Sequence, residues 1–299
     1  MHTQIENQSQ RKKIILYGLI ACLLLSLFFI PLQTADSLLV NELVDASHII
    51  AFMGISWFFF PLFPGSNIRK CIVFLLITMV LSVAIEVVQE TVGRAFQWSD
   101  ITRNFLGLGI GIAIRVGFNF FLIGLLVLLI IERFALLQLF AAHTYFHYNA
   151  PILASFNHKF EIVTWRPDRA EITLKGGKLL TLTKPNEIYS GAHFQDFPSK
   201  WEEYQQLFLI LENPQTESIF LTIKITDEQH DLGVHHYDER FNQRLTLRPG
   251  VNHFKLELDS IRLGPKNREL NLNQVSRISF FLSEPSNGEQ FLIDEIYLE

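Results

Sequence analysis

Asp45 and His48 stand three residues apart, as do Glu86 and Gln89, while Asp100 and Asn104 stand four apart. On a helix these spacings put both members of a pair on one face. A histidine beside a carboxylate is a candidate general base whose tautomer the carboxylate sets, and Glu86 is a second acid/base candidate. Arg94 has the fork geometry to hold a phosphate or a carboxylate. The competing interpretation is a structural ion network at a membrane boundary, joined by Glu90 and Arg103. A second constellation lies further along: Trp201, Asp227, His235, His236, Tyr237, Asp238 and Arg240. Aromatic faces stack on the apolar faces of pyranoses, and planar polar side chains take their hydroxyls, so this set suits a glycan. Against it, Trp201 can equally be a core anchor before a strand, Asp227 with Arg240 an ion pair fixing a loop, and His235-His236 merely solvated. Asp294 is a carboxylate able to help ligate a structural calcium; no other cofactor is expected.

The elements that must position these residues differ sharply between the two halves. Of 299 residues, the first 142 carry nine Lys or Arg and eight Asp or Glu, against 16 and 22 in the remainder. The first part consists of long apolar runs. Ile14 to Pro31 follows Arg11-Lys12-Lys13 and is expected as a retained membrane helix rather than a cleaved signal, since about 18 apolar residues suffice to cross. His48 to Phe63, Cys71 to Val92 and Asn104 to Ile131 follow. Basic residues favour cytoplasmic ends. Arg11 to Lys13 therefore put the N-terminus inside, as Arg69 and Lys70 do the second-to-third loop. The three polar pairs then share the outer surface of the bundle.

Asn104 to Ile131 is long for one crossing and holds Arg115, which is costly at mid-membrane. Two arrangements stay open. One tilted helix leaves the C-terminal part in the cytoplasm. A break at Gly117 to Asn119 gives a fifth helix and an extracytoplasmic C-terminal part, and this is the favoured expectation. Asn104, Gly107 and Gly111 recur on one face, where small residues let a neighbouring helix approach closely.

Beyond a connector at 143–154, apolar residues alternate. Strands are expected around Phe160–Val163, Glu171–Leu174, Leu179–Leu182, Leu207–Leu211, Ile219–Ile223, His253–Leu258, Ile278–Leu282 and Phe291–Asp294. Gly176-Gly177, Asn213-Pro214, Pro249-Gly250 and Ser286-Asn287-Gly288 punctuate them. Short strands at this spacing make a sandwich or barrel. The expected architecture is thus an α-helical transmembrane bundle of four or five helices over residues 1–142 and a C-terminal all-β, jelly-roll-like sandwich over 155–299.

Asp45-x-x-His48-x-x-x-Phe52, then Glu86-x-x-Gln89, Arg94, Asp100 and Asn104-x-x-Gly107-x-x-x-Gly111, resembles the VanZ-like membrane family over about residues 12 to 135. The resemblance implies a bacterial envelope protein of the cytoplasmic membrane, linked to cell-wall or glycopeptide-antibiotic response, with an outward polar pocket. It supplies no reaction. The run up to Phe140 and the long C-terminal part depart from the shortest family pattern. Phe197-Pro198-x-x-Trp201-x-x-Tyr204, Ile225-x-Asp227 with His230, Tyr237-Asp238-x-Arg240-Phe241, Pro249-Gly250-x-Asn252 and Leu292–Ile296 are similar to galactose-binding-like carbohydrate modules over about 155 to 299. That likeness implies a β-sandwich that binds a cell-wall or surface glycan.

The net charge of -5 offers no basic stripe for nucleic acid, and no Gly-rich nucleotide loop or G-x-S-x-G elbow is present. The two cysteines, Cys22 and Cys71, lie in apolar runs, and no zinc-type Cys/His spacing occurs. The expected partners are the lipid bilayer and a glycan. Two alternatives differ in class: an intramembrane enzyme on a lipid-linked or phosphorylated envelope substrate, and a non-catalytic sensor or scaffold with a cytoplasmic β domain. Acid/base residues without a nucleophile or phosphate loop do not name a reaction, so catalysis is left open.

Overall fold

The computed structural model describes residues 15–16, 18–19, 37–91, 96–233, 236–286 and 288–299. The apolar run Ile14 to Pro31 lies almost wholly outside the described residues, as do Arg94 and His235. The chain divides into two compact units, one built on Asn41–Phe134 and the other on Ala135–Glu299.

In the first unit, α1 (Leu38–Phe59) runs into a 3-10 turn at Pro61 and is followed by α2 (Asn67–Thr91), α3 (Trp98–Val116) and α4 (Asn119–Glu132). The stretch from Asn104 to Ile131 is broken. Gly117 takes φ +79 and returns its amide to the carbonyl of Ala113, a left-handed cap that ends α3. Among the described residues, two helices, Leu38–Leu62 with its 3-10 turn and Asn67–Thr91, are long and apolar enough to cross a membrane; Asn119–Glu132 and Phe134–Asn149 pass that test only as a pair. Helix α2 is polar inside and apolar outside. Thr78, Ser82, Glu86 and Gln89 are buried, whereas Leu75, Leu76, Met79, Val80, Val83 and Val87 are exposed.

Helices α1 and α3 meet across glycines. A β-carbon at 107 would collide with the backbone of Ile49, and one at 111 with the backbone of Met53 and the hydroxyl of Ser56. The small-residue face expected from Asn104, Gly107 and Gly111 is thus the close-approach seam, flanked by Ile49, Ile110, Ala113 and Leu125.

The second unit is an antiparallel β-sandwich preceded by α5 (Phe134–Asn149). Its strands are β1 (Ile152–Ala154), β2 (Trp165–Asp168), β3 (Ala170–Lys175), β4 (Lys178–Thr183), β5 (Tyr189–Phe194), β6 (Gln206–Asn213), β7 (Ile219–Asp227), β8 (Phe241–Leu247), β9 (Gly250–Glu257), β10 (Val275–Ser283) and β11 (Gln290–Leu298). One sheet runs β3-β4-β11-β6-β9, with β1 also on β11; the other runs β2-β5-β10-β7-β8. Alternation puts Leu207, Leu209 and Leu211 of β6 and Phe291 and Ile293 of β11 against Leu221, Ile223 and Ile225 of β7 and Ile278, Phe280 and Leu282 of β10. Each such side chain, removed wholly from water, stabilises by about 1.5–3 kcal/mol before entropy. Helix α5 belongs to this core: Ala142 and Phe146 are fully buried in it, and Phe146 lies edge-on to Phe194 at 5.7 Å.

One expected strand is a helix turn. Phe160–Val163 falls in the 3-10 segment Lys159–Thr164, because the buried carboxylate of Glu161 accepts from the amides of Ser155 (3.0 Å), Phe156 (2.9 Å) and His158 (2.9 Å) and curls the chain. Two short helices, α6 (Glu228–Leu232) and α7 (Leu258–Arg262), follow β7 and β9.

Candidate functional site: a cavity on the outer sheet face

The register of the β2-β5-β10-β7-β8 sheet builds a polar face. Arg166, His193, Ser279, Lys224 and Asn242 form one cross-strand row, and Asp168, Gly191, Phe281, Thr222 and Arg244 the next. Their inward neighbours are core residues, so period-2 alternation turns both rows outward. Gly191 allows β5 and β10 to approach closely, since a β-carbon there would collide with the carbonyl of Phe280 and with Phe281. Tyr189 meets Phe281 edge to face at 5.2 Å. Tyr237, on the 3-10 turn Tyr237–Glu239, stands 65% exposed beneath the Arg240 guanidinium, which is 4.8 Å from its ring. All of these groups except Arg166 and Arg244 line a cavity of about 280 Å³.

The cavity holds three cationic side chains, Lys224, Arg240 and Arg277, against Asp168, and Arg277 is paired at 3.7 Å with the nearly buried Asp231 behind it, which leaves a net excess of one positive charge. Burial, then Arg240 and Arg277, push Lys224 down to about 8. Burial, then Arg277, push His193 down to about 4, so its ring is neutral at physiological pH. Burial also lowers Arg240. The arrangement offers aromatic surface at its rim, neutral hydrogen-bonding groups on its floor and an excess of positive charge.

Of the residues singled out from sequence for a glycan, Tyr237 and Arg240 line this cavity. Asp238 is on the same turn and pairs with Lys266 at 2.7 Å; His236 is exposed just before it. Trp201 is in the core, fully buried, its indole N–H donating to the carbonyl of Pro198 at 2.9 Å. Asp227 is also fully buried, and its partner is Arg268 rather than Arg240. The two guanidinium nitrogens donate to its two oxygens at 2.6 Å each, joined by the amides of Asn271 (2.8 Å) and His230 (3.0 Å). Burial opposes ionisation of Asp227, but those four donors outweigh it and hold the carboxyl below its ordinary range. Arg268 also donates to the carbonyl of Glu239 at 2.8 Å, which ties the clamp to the turn carrying Tyr237. Asp294 accepts from Lys178 at 3.0 Å, and Lys178 also donates to Glu212 at 2.7 Å. Its neighbour in the structure is thus a lysine.

The polar residues of the helical unit also converge. His48 Nδ1 is 3.0 Å from Asn104 Oδ1, and Asn104 donates its amide hydrogen to Ser82 Oγ at 3.0 Å. His48 Nε2 is 3.5 Å from Asp100 Oδ2. Glu86 accepts from the amide of Gln97 at 3.0 Å, and Gln89 is buried one turn further on. Asp45 does not orient His48; it pairs with Arg103 at 2.8 Å, which also binds Asp100 and, at 2.7 Å, Glu132. The glycine seam brings α3 so near α1 that Asp100 and Asn104 reach the imidazole, while Asp45 is left one turn away beside the arginine. Glu90 is exposed.

Tyr189, His193, Lys224, Asn242 and Arg277 were not singled out from sequence. Lys224 and Phe281 sit on strands the alternation does reveal, and their place on the polar phase of those strands was the available signal.

No family model matches the chain, and no curated protein matches it. Among solved structures, similarity is found to a family 11 carbohydrate-binding module from Clostridium thermocellum in complex with a β-1,3-1,4-mixed-linked tetrasaccharide (14% identity, TM-score 0.39, 49% of this chain and 93% of that one). A family 29 carbohydrate-binding module is similar at 12% identity and TM-score 0.33, over 46% of this chain and 81% of that one. An exo-β-agarase is similar at 14% identity and TM-score 0.40, over 50% of this chain, which spans 24% of the agarase.

Proposed function

We propose that this is a membrane-anchored glycan-binding protein of a bacterial envelope, whose sandwich takes a sugar bearing an acidic group in the cavity beside Tyr237. The observation that carries the reading is the lining: Tyr237, Tyr189 and Phe281 offer faces for a pyranose, His193, Asn242 and Ser279 offer hydroxyl partners, and Lys224, Arg240 and Arg277 favour a carboxylate, phosphate or sulfate. The membrane setting is supported by α2, whose polar side is buried and whose apolar side is exposed, an arrangement that lowers free energy in hydrocarbon and raises it in water. The pattern resembling the VanZ-like family is the motive for a bacterial envelope, and cell-wall or capsular polymers are the ligands to try first.

The test uses the full chain in detergent micelles on an array of neutral and acidic envelope glycans. Binding to acidic members is expected, with Tyr237→Ala and Lys224→Met each weakening it by about ten-fold or more, a loss of roughly 1.4 kcal/mol or greater. An array without any binder, or a binder unaffected by both substitutions, refutes the proposal.

A further inference from the structure

We propose that His48, Glu86 and Asp100 form a binding site for one divalent transition-metal ion of the zinc class. Each comes from a different helix, α1, α2 and α3, and one ligand atom from each lies within 4.8 Å of the other two. All three side chains are buried, at 0%, 0% and 2% exposure. The 3.5 Å between His48 Nε2 and Asp100 Oδ2 is close to the edge of a tetrahedron around such an ion, about 3.4 Å for ligand bonds of about 2.1 Å.

Each ligand is held from behind. The oxygen of Asn104 faces His48 Nδ1, because its amide nitrogen is given to Ser82; Nδ1 is thus the nitrogen that donates, and Nε2, 3.5 Å from Asp100 Oδ2, is the one placed to ligate. Arg103 holds Oδ1 of Asp100 and leaves Oδ2 toward His48. The Gln97 amide holds Oε2 of Glu86. Supports of this kind orient metal ligands and fix the histidine tautomer. Ligation requires a neutral imidazole and ionised carboxylates, and a dication would balance the charge of that set. The imidazole and the small number of ligands select against calcium and magnesium, which take all-oxygen shells of six or more. Three protein ligands leave a fourth position for a water or a ligand oxygen, which the ion would polarise as a Lewis acid.

The experiment is elemental analysis of the full chain, purified in detergent without a polyhistidine tag or chelator, followed by cobalt exchange and visible spectroscopy. About one zinc-class ion per chain is expected, with the intense d–d bands of tetrahedral cobalt after exchange. His48→Ala and Glu86→Gln should each lose the ion and the bands. Asp45→Asn, which alters the Arg103 network but not the ligand set, should keep both. Size-exclusion profiles establish that each variant is folded, and the cobalt bands of the wild-type chain decide the matter should a ligand variant aggregate. A folded wild-type chain that binds neither zinc nor cobalt, or a stoichiometry unchanged in both ligand variants, overturns the proposal.

Discussion

Replacing Arg268 by methionine should uncouple the clamp that holds the sandwich's ligand turn. Asp227 is fully buried and Arg268 is 14% exposed, with two bonds of 2.6 Å between them. Breaking a buried pair from one side costs about 3–5 kcal/mol, because the remaining charge stays buried. Two backbone amides still serve Asp227 and one edge of the guanidinium meets solvent, so the low end, about 3 kcal/mol, is expected. For a domain of this size that lowers Tm by roughly 6–12 °C. Asp227→Asn supplies the other arm of a double-mutant cycle, with a coupling of about 2–3 kcal/mol. Sandwich unfolding can be followed by fluorescence in a background where Trp57 and Trp98 are phenylalanine, leaving buried Trp165 and Trp201 as reporters.

The pH dependence follows from the direction of the shift. The carboxyl of Asp227 is held below its ordinary 3.8, so its contribution is present above that pH and is lost as pH falls through the lower folded value. Without Arg268, burial raises the same carboxyl, and acidification then favours the folded variant. The gap between wild type and Arg268→Met should therefore be widest at neutral pH and narrow toward pH 4. A gap that stays constant, or single substitutions that add without coupling, refutes the reasoning. Because Arg268 also holds the carbonyl of Glu239, the variant should weaken any glycan binding that the proposed function entails, at temperatures where the sandwich is still folded.

Other outcomes are expected on the same grounds. His193 is pushed down to about 4, so the unfolded chain takes up its proton first; sandwich stability should fall as pH drops from about 6.5 toward 4, and His193→Asn should flatten that slope in midpoints measured across the range. Lys224, pushed down to about 8, should lose its charge between pH 7 and 9, weakening capture of an acidic sugar over that interval in wild type but not in Lys224→Met, as read by titration calorimetry. Gly111→Val forces a branched side chain into the backbone of α1; a cost of about 1–3 kcal/mol or more should appear as earlier heat-induced aggregation of the detergent-solubilised chain.

Long apolar runs and strong alternation made the two-part architecture legible, because alternation reports a half-buried strand and a continuous apolar run a long helix that avoids water. The break at Gly117 was legible as one of two options, since a glycine two residues after Arg115 permits a turn without demanding it. The cavity was less visible for a physical reason. Asp168, Tyr189, His193 and Asn242 lie on β2, β5 and β8, strands not expected from sequence. Strand β5 reads Tyr-Ser-Gly-Ala-His-Phe, whose inward positions include Ser190 and Ala192, too small to give an apolar signal. Strand β8 is polar at four of its seven positions. On β8 the inward Phe241, Leu245 and Leu247 are outnumbered by polar residues, so the run does not read as an apolar strand. Likewise the spacing Asp45-x-x-His48 does place both on one helix, but which carboxylate reaches the imidazole is decided between helices, by the glycines of α3.

The burial of Ala142 and Phe146 bears on how the sandwich can be carried elsewhere. Strand β1 and helix α5 complete the sandwich, and Phe146 continues an aromatic chain through Phe194 and Phe197 to Trp201. A fragment trimmed to the strands alone would open a hole the size of a phenylalanine beside the stacked Trp165–Phe194 pair, a deficit of about 3–5 kcal/mol, comparable to the whole stability margin of many domains. A portable version of the sandwich must begin by Phe134, and it brings with it a helix on which Leu137 and Phe140 remain bare to solvent. Solubility of the transplanted piece would then hinge on recolouring those two positions as polar.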